Sequence, residues 1–382
     1  MKAYQFSRDQ IASVIAALFA EVLSAEFSRQ IGASARSGWN ADSPLGEGGL
    51  DLSEEERAAC LGRAARFFGA PELFERTLPE TLGAAAHAIS MEVAARLTRF
   101  NFAAAGGHGR DFEHPADIIF GDAAALANLL YGRRRILSLV APHSLIGFSL
   151  SILAPNLLGL PGIDARSLSP EALQANFAFG DAIVATPSLW RYLIAQEVKA
   201  PDNAMAVTFG EALSPEMSAE IRRAGFGAQR EIYGSTESGL VGWRDTPSDP
   251  FALFEFWRRD GDGLVRITPS GAELAVTPMD FLTFEGDRRF RLAGRRDGAV
   301  QIGGVNAFPD DIAARIAEHP DVAECKVTLS RHPGGMDRLI ASVTLTRGAV
   351  TESVARSIDA WSRSRLRPHE RPRVYNFASP EK

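Results

Sequence analysis

The sequence predicts a large α/β domain that carries an antiparallel β subdomain and is followed by a small α+β domain. Three observations support this fold class. From about Glu92 to Leu193, apolar strand-like runs alternate with helical ones, which is typical of a parallel sheet flanked by helices. From Phe251 to Phe290, short strands are separated by Asp-Gly and Ser-Gly turns, which favours antiparallel pairing. After Gly298 the pattern reads strand, helix, strand, strand and helix within about ninety residues, the size of a small domain.

The predicted boundaries follow this pattern, with a helical N-terminal region at 1–70, a large domain at 71–296 and a small domain at 297–382. Within the N-terminal region, apolar residues recur at helical spacing from Ser7 to Arg29, with Ser7 as the cap. After a stretch rich in Gly, Ser and Pro, a capping box at Ser53–Glu56 predicts a second helix. This region is therefore predicted to be helical, with a loop between two helices.

Composition and charge limit the classes of partner. The 382 residues are 46% hydrophobic and 23% charged, which is ordinary for a globular protein with a large core. The formal net charge of -6 gives no general attraction to nucleic acid, although local basic clusters such as Arg133–Arg135 occur. Cys60 and Cys325 fit neither a disulfide framework nor a metal-ligand spacing. We therefore expect a protein of the reducing cytoplasm with no nucleic-acid partner.

The sequence also argues against export and against a membrane span. The N-terminus does not resemble a signal peptide, because Asp9 and Gln10 precede the first periodic apolar positions. The stretch Ser138–Gly162 is strongly apolar, but Pro142 and Pro155 interrupt it. We predict a buried strand, a loop and a buried helix there, with no membrane partner.

The most informative segment lies directly after an apolar strand and places an aromatic ring, a tight turn, two hydroxyls and a carboxylate within five residues. It consists of Tyr233, Gly234, Ser235, Thr236 and Glu237. The tyrosine ring can stack on a purine, Thr236 can donate to a phosphate oxygen, and Glu237 can hold Mg²⁺ against phosphates. Composition alone is equally compatible with an ordinary polar turn.

Residues 233–237, followed by Gly239 and Arg244, resemble the Tyr-Gly-x-Thr-Glu core of the adenylate-forming superfamily of acyl-CoA and aryl-CoA synthetases, which includes 4-coumarate:CoA ligase. Further matches follow in the order that the family shows. The family's Gly-Glu-Pro-Leu segment is matched by Gly210, Glu211, Ala212 and Leu213. The junction Gly-Arg-x-Asp between its large and small domains is matched by Gly294, Arg295, Arg296 and Asp297. Its small-domain pattern is matched by Gly304, Pro309, Asp311, Ile312, His319, Pro320 and Val322.

The resemblance implies nucleotide-binding roles for several residues. Residues 210–212 would line the adenine pocket. The family holds both ribose hydroxyls with an aspartate fourteen positions before the glycine of Gly-Arg, and that position here is Asp280, with Asp287 ranked second. Arg295 would be a further nucleotide contact. Asp297 would be the hinge about which a mobile small domain turns between two catalytic poses.

The middle of the chain resembles the acid-binding half of the family. Residues 140–147 look like its Pro-x-His-x-x-Gly loop, with Gly147 aligned on the glycine. This alignment places Ser144 at the position of the family's histidine and His143 beside it. Either binding of the acid or capping of a buried turn accounts for His143. Five further residues either line an aromatic pocket for the acid or pack in the core: Phe177, Phe179, Thr186, Pro187 and Trp190.

Three departures from the family pattern bear on activity. The family's phosphate loop is represented by 104–110, which keeps Gly106 and Gly109 and lacks the usual hydroxyls and lysine. Backbone N–H groups of such a loop can still cradle phosphate. Gln301 stands where the family has a lysine. The family's last Gly-Lys motif is also missing, and Lys382 is the candidate substitute for its catalytic lysine.

The resemblance covers roughly Leu97 to Phe377 and is closest to short, N-terminally reduced bacterial 4-coumarate:CoA ligases of the photoactive yellow protein type. It implies activation of a carboxylic acid by ATP and Mg²⁺, and transfer of the acyl group to coenzyme A. The aromatic residues favour an aryl or arylpropenoic acid. Two alternatives stay open: a ligase whose acceptor is a carrier-protein thiol or an amine, and a nucleotide or acyl-adenylate binding protein that has lost the chemistry.

Overall fold

The computed structural model divides into two compact units. The first consists of Met1–Thr277 and Phe284–Phe290, and the second of Pro278–Thr283 and Arg291–Lys382. The chain therefore passes between the units more than once. The residues that the structure describes are 6–32, 35–36, 38–103, 111–302, 305–330, 337–346 and 352–378.

The N-terminal region contains the two predicted helices, α1 (Arg8–Glu26) and α2 (Glu54–Phe67), and each begins at a serine capping box. At α2, Ser53 Oγ accepts a hydrogen bond from the Glu56 N–H at 3.1 Å, and the Glu56 carboxylate accepts one from the Ser53 N–H at 2.8 Å. These bonds satisfy donors that the first turn of a helix otherwise leaves unpaired. A third helix, α3 (Leu82–Arg96), packs against α1, as does α2.

An antiparallel hairpin follows these helices and was not predicted from the sequence. Its strands are β1 (Arg99–Ala103) and β2 (Asp111–Pro115), which pair over their full length. The predicted glycine loop, 104–110, connects them and lies outside the described residues. The hairpin is joined to the helices by an aromatic cluster with ring centroids 4.9–6.4 Å apart, which contains Phe6, Phe67, Phe68, Phe100, Phe102 and Phe148.

The predicted parallel sheet is confirmed. Its strands are β3 (Arg135–Ser138), β4 (Gly162–Asp164), β5 (Asp181–Ala185), β6 (Met205–Phe209) and β7 (Ala228–Ser235). They lie in the order β7–β6–β5–β3–β4, and all neighbouring pairs are parallel. Every residue of β5 and β6 is buried, as expected for central strands of a sheet that is covered on both faces.

Helices alternate with these strands. They are α4 (Ala116–Leu129), α5 (Leu145–Phe148), α6 (Ala154–Leu158), α7 (Pro170–Asn176), α8 (Pro187–Ala195) and α9 (Pro215–Arg223). A π-helical turn, Ser149–Leu153, joins α5 to α6, so the apolar stretch that begins at Ser138 folds as a strand, a loop and a largely buried helix, as predicted. No helix within the described ranges is long and apolar enough to cross a membrane.

The predicted antiparallel region is confirmed, but its strands are divided between two sheets. The strands β8 (Gly239–Arg244), β9 (Phe251–Leu253), β13 (Asp280–Glu285) and β14 (Arg289–Arg295) extend the main sheet to nine strands. A separate three-stranded sheet contains β10 (Trp257–Asp260), β11 (Gly263–Ile267) and β12 (Glu273–Val276). The main sheet changes from parallel to antiparallel between β7 and β8, because β8 returns beside β7 after a short turn.

The second unit has the predicted α+β character. Its other elements are β15 (Val300–Ile302), β16 (Val305–Ala307), α10 (Pro309–Ala317), β17 (Val322–Ser330), β18 (Arg338–Leu345), α11 (Glu352–Arg365) and β19 (Val374–Ala378). The strand β17 pairs antiparallel with β18, which pairs parallel with β19. The last strand was not predicted. Both helices contribute to one apolar core with these strands, through residues such as Ile312, Ile316 and Ile358.

Replacing Ser53 with alanine removes the oxygen that caps α2 and leaves the Glu56 N–H without its side-chain acceptor. We expect the free energy of unfolding to fall by about 1 kcal/mol, measured by urea denaturation. Ser53→Thr keeps a capping hydroxyl and is expected to remain within about 0.5 kcal/mol of the wild type. An equal loss in the two variants would contradict this role of the hydroxyl.

Candidate active site

The candidate residues of the first unit follow the carboxyl ends of four adjacent parallel strands. His143 lies after β3, Thr186 after β5, Glu211 after β6 and Glu237 after β7. Carboxyl ends of neighbouring parallel strands meet at one edge of a sheet, which is where open α/β sheets bind ligands. The fold therefore collects at one edge four segments that are far apart in the sequence.

The segment that the sequence singled out ends β7 and forms the turn into β8. Its members, all half-buried, are Tyr233, Gly234, Ser235, Thr236 and Glu237. The Tyr233 ring packs against Phe251 and Phe290, with 5.6 Å between centroids in each case. Ser235 Oγ accepts a hydrogen bond from the Ser238 N–H at 3.2 Å and stabilises the turn. The turn thus presents a hydroxyl and a carboxylate at the edge of the sheet.

His114 stabilises this turn from the hairpin and was missed by the sequence analysis. Its Nε2 lies 2.6 Å from the carbonyl oxygen of Thr236, so Nε2 carries the proton and donates. Burial lowers the pKa of His114, which keeps the ring neutral. The sequence carried no signal for this residue, because a single histidine before Pro115 forms no recognisable pattern.

Asp122 holds the other end of the turn, and the sequence gave no sign of this role either. Its buried carboxylate accepts a hydrogen bond from the Leu240 N–H at 3.0 Å and forms an ion pair with Arg266. Burial raises the pKa of Asp122, and the guanidinium of Arg266 opposes that rise. Gly239 approaches so closely that a Cβ there would lie 2.7 Å from Asp122 Oδ2, and its φ of 73° also favours glycine.

A second buried ion pair joins β7 to β8, and its carboxylate also holds the segment after β6. Glu231 Oε2 accepts from Arg244 Nε at 2.6 Å, and Glu231 Oε1 accepts from the Leu213 N–H at 3.1 Å. The guanidinium of Arg244 also lies 4.2 Å from the centroid of the Phe251 ring. The sequence analysis noted Arg244 only as part of the family pattern. Its partner Glu231 was detectable as the one acidic residue within the strand β7.

The predicted adenine-lining residues, Gly210, Glu211 and Ala212, form the loop that follows β6. Gly210 has a φ of 91°, which glycine adopts without strain. The Glu211 carboxylate accepts hydrogen bonds from Ser188 Oγ at 2.8 and 2.9 Å. Ala212 is exposed. The loops after β5 and β6 are therefore linked by a direct hydrogen bond at the candidate edge.

His143 lies in the loop after β3 with its ring largely buried. Its Nε2 is 3.7 Å from Glu21 Oε2, and its Nδ1 has no hydrogen-bond partner among the described residues. Burial, together with Arg166, Arg63 and Arg36, lowers the pKa of His143 to about 3. The ring is therefore neutral at pH 7, and its approach to Glu21 is not a charged pair.

The two residues predicted beside His143 shape the next helix. Ser144 Oγ accepts a hydrogen bond from the Gly147 N–H at 3.2 Å and caps α5. A Cβ at Gly147 would lie 2.2 Å from the carbonyl oxygen of Ala141, so this position requires glycine. Binding of the acid by Ser144 or Gly147 stays a prediction.

The candidate aromatic residues mostly belong to the core. Trp190 is completely buried and packs against Phe226 at 4.9 Å between centroids. Phe177 packs at the margin of the same core. Phe179 is half exposed, with the Arg134 guanidinium 4.9 Å from its ring centroid. Of the two interpretations, core packing accounts for Trp190 and Phe177.

Two predicted nucleotide contacts belong to the second unit. Asp280 begins β13 and is half-buried, and Arg295 ends β14. The guanidinium of Arg295 donates to both carboxylate oxygens of Asp297, at 2.8 and 2.6 Å. Their roles in binding ribose and nucleotide, and that of Asp297 as a hinge, stay predictions.

Four other candidates cannot be placed. Gly106, Gly109 and Lys382 lie outside the described residues, and of Gln301 only the backbone, in β15, is described.

Comparison with known proteins agrees with the fold. The AMP-binding enzyme C-terminal domain matches residues 311–381. A 4-coumarate--CoA ligase from Halorhodospira halophila is 32% identical over 275 residues, which cover 72% of this chain and 70% of that protein. The chain belongs to the adenylate-forming ligases.

A second relative and a solved structure are similar over comparable shares of the chain. A relative of the same name from Cereibacter sphaeroides is 28% identical over 287 residues, or 74% of this chain and 67% of that protein. The amide bond synthetase McbA from Marinactinospora thermotolerans superposes with a TM-score of 0.58 at 16% identity, over 73% of this chain and 65% of that one. This ligase therefore spans about two thirds of the length of the proteins that it matches.

Asp122→Asn keeps an acceptor for the Leu240 N–H but leaves the buried guanidinium of Arg266 without a counter-charge. We expect the free energy of unfolding to fall by about 3–5 kcal/mol, measured by urea denaturation. The double variant Asp122→Asn/Arg266→Met removes the unpaired charge and is expected to regain most of this loss. A loss below about 1 kcal/mol in the single variant would show that the pair does not stabilise this region.

The neutral His143 ring predicts a pH dependence of stability. Its pKa of about 3 in the folded protein lies below the ordinary 6.5, so the unfolded chain binds a proton that the folded one excludes. The contribution of His143 to the free energy of unfolding is complete above pH 6.5. It is lost as the pH falls toward 3, at about 1.4 kcal/mol per pH unit. Glu21 has a raised pKa and acts in the opposite sense, because its contribution to the free energy of unfolding is lost as the pH rises through that pKa.

His143→Gln removes the histidine contribution and leaves the other groups in place. Urea unfolding at pH 7, 6 and 5 is therefore expected to give a flatter dependence in this variant than in the wild type. Parallel curves for the two proteins would contradict the low pKa of His143.

Proposed function

We propose that this ligase activates a carboxylic acid with ATP and transfers the acyl group to the thiol of coenzyme A. A carboxylate oxygen attacks the α-phosphorus, the bond to pyrophosphate breaks, and acyl-AMP forms. The thiol sulfur then attacks the acyl carbon, and AMP leaves. The observation that carries the proposal is the turn Thr236–Glu237, which His114 and Asp122 hold in place. The turn lies at the sheet edge where the loops after β3, β5 and β6 begin.

The residues at this edge suit a nucleotide. The loop of Gly210 and Glu211 is proposed to line the adenine, with the ring of Tyr233 beside it. Thr236 is proposed to donate to a phosphate oxygen, because its hydroxyl lies on the turn beyond the end of β7. In the second unit, the carboxylate of Asp280 is proposed to accept from both ribose hydroxyls.

Magnesium fits this site as an ion shared with the phosphates. Among the described residues, no group of three or more His, Cys, Asp or Glu side chains is arranged to hold a metal ion. Mg²⁺ usually keeps several waters and takes one or two carboxylates together with substrate phosphates, which Glu237 alone can satisfy. When bound, the ion would offset negative charge on the phosphates.

For the acid, we propose an arylpropenoate such as 4-coumarate. Two relatives named 4-coumarate--CoA ligase, each aligned over more than two thirds of this chain, support this choice. His143 is the proposed contact from the loop after β3. The described cysteines, Cys60 and Cys325, are both free, which supports a reducing cytoplasm as the location.

The altered glycine loop and Gln301 favour a second candidate, a nucleotide-binding homologue without the chemistry. Release of pyrophosphate from ATP and Mg²⁺, measured with 4-coumarate, benzoates and fatty acids, separates the two. Acid-dependent release supports adenylation, and a thioester formed only when coenzyme A is present identifies the acceptor. Binding of ATP without release for any acid would replace the proposal by the second candidate. Adenylation without transfer to coenzyme A would direct the search to a carrier-protein thiol or an amine.

Glu237→Gln and Asp280→Ala are each expected to lower the rate of acid-dependent pyrophosphate release by at least about 100-fold, because each removes a carboxylate proposed to hold Mg²⁺ or ribose. The exposed residues Glu255 and Asp262 offer matched controls, Glu255→Gln and Asp262→Ala, which should retain wild-type rates. Urea unfolding checks that all four variants are folded. Wild-type turnover in both site variants would overturn the assignment.

A further inference from the structure

A group of polar side chains in the first unit joins His143 to three residues that the proposed site does not use. It consists of Glu21 on α1, Arg63 on α2, Asp111 on β2 and His143 after β3, and we call it the N-terminal polar cluster. Glu21 Oε2 lies 3.7 Å from His143 Nε2, and Arg63 lies 4.0 Å from Asp111 Oδ2. Both separations are longer than a hydrogen bond. Arg63 and Asp111 therefore form a long ion pair, and neither contact is a hydrogen bond.

The cluster contains an unusual concentration of unsatisfied polar atoms. Glu21 Oε2, both terminal nitrogens of Arg63 and His143 Nδ1 are buried and have no hydrogen-bond partner among the described residues. The Arg63 residue as a whole is only 6% exposed. A buried polar group without a partner costs about 1–3 kcal/mol, so these four atoms suit the binding of a polar group.

Two members of the cluster are partly exposed even though these atoms are buried. The side chain of Glu21 is 37% exposed and that of Asp111 is 39% exposed. The outer side of the cluster therefore borders solvent at Glu21 and Asp111. The buried ends of Glu21 and Arg63 then form the inner part of the cluster.

The unsatisfied atoms also define the chemistry of the occupant. The Arg63 nitrogens can only donate, whereas Glu21 Oε2 accepts when it is ionised. A phosphate or a carboxylate offers acceptors only and would leave Glu21 unsatisfied. A hydroxyl group both donates and accepts, so it can pair with Glu21 and Arg63 together.

The cluster lies close to the candidate active site in the fold. His143 follows β3 at the same sheet edge as Glu237. Asp111 begins the strand β2, and three residues later His114 donates to the carbonyl oxygen of Thr236. The hairpin therefore carries one member of the cluster and one support of the nucleotide turn.

We propose that Glu21, Arg63 and His143 form a subsite for a hydroxyl group on the aromatic ring of the acid. This inference rests on the proposed function for the identity of the acid. It assigns to the N-terminal helices a part in selecting a hydroxylated arylpropenoate over the same acid without the hydroxyl. Glu21 accepts from the hydroxyl and Arg63 donates to its oxygen.

Calorimetric binding of 4-coumarate and of cinnamate, which lacks the hydroxyl, tests the subsite without requiring turnover. The wild type is expected to bind 4-coumarate about 10- to 100-fold more tightly than cinnamate, because an absent hydroxyl leaves buried polar groups unpaired. Glu21→Gln and Arg63→Met should weaken binding of 4-coumarate by about the same factor and change binding of cinnamate by less than about threefold.

Matched controls lie on the same helices. Glu26→Gln on α1 and Arg66→Met on α2 change exposed residues outside the cluster and should leave both affinities unchanged. Thermal unfolding of each variant checks the fold. If Arg63→Met does not fold, the isosteric Glu21→Gln variant carries the test alone.

The outcomes separate this inference from the proposed function. Equal affinity of the wild type for the two acids, or an equal loss for both acids in Glu21→Gln, would overturn the subsite and leave water as the occupant. Selective loss of 4-coumarate binding in a protein that releases no pyrophosphate would retain the subsite and overturn the proposed ligase activity.

Discussion

The buried ion pair between Asp122 and Arg266 is the contact on which the candidate site depends most. Through its second oxygen, Asp122 also accepts from the Leu240 N–H and so fixes the start of β8 beneath the turn. Gly239 is required because any side chain there would meet that carboxylate. The position of Thr236 and Glu237 is therefore set by a buried charge that itself needs a partner, and His114 restrains the same turn from the hairpin.

Buried polar groups in the first unit are of two kinds. Asp122 and Glu231 each have an arginine partner and a backbone donor, so their charges are compensated and they hold loops in place. Glu21 and Arg63 are of the other kind. Within the described part of the chain, Glu21 Oε2 and the terminal nitrogens of Arg63 have no hydrogen-bond partner. Satisfied buried groups stabilise a fold, whereas unsatisfied ones that solvent can reach suit recognition of a polar ligand.

Local signals in the sequence predicted local structure well. Ser53 and Glu56 lie three residues apart, and their capping box is decided by that spacing alone. The mostly apolar strands β5 and β6 were also predicted, because a short apolar run between turn signals is typical of a buried strand. The contact between His114 and Thr236 was not predictable in this way, since it joins residues 122 positions apart.

The same limit applies to whole elements. The hairpin β1–β2 depends on burial of Phe100 and Phe102 against the N-terminal helices, and their alternation was the only available sign of a strand. The family resemblance predicts a role for Asp280 from spacing, which composition and periodicity alone could not have done.

The exchange of pyrophosphate into ATP, in the presence of Mg²⁺ and acid but without coenzyme A, tests the adenylation step most directly. We expect exchange that requires 4-coumarate or a related arylpropenoate; its absence with every acid, in a protein that binds ATP, would contradict the assignment.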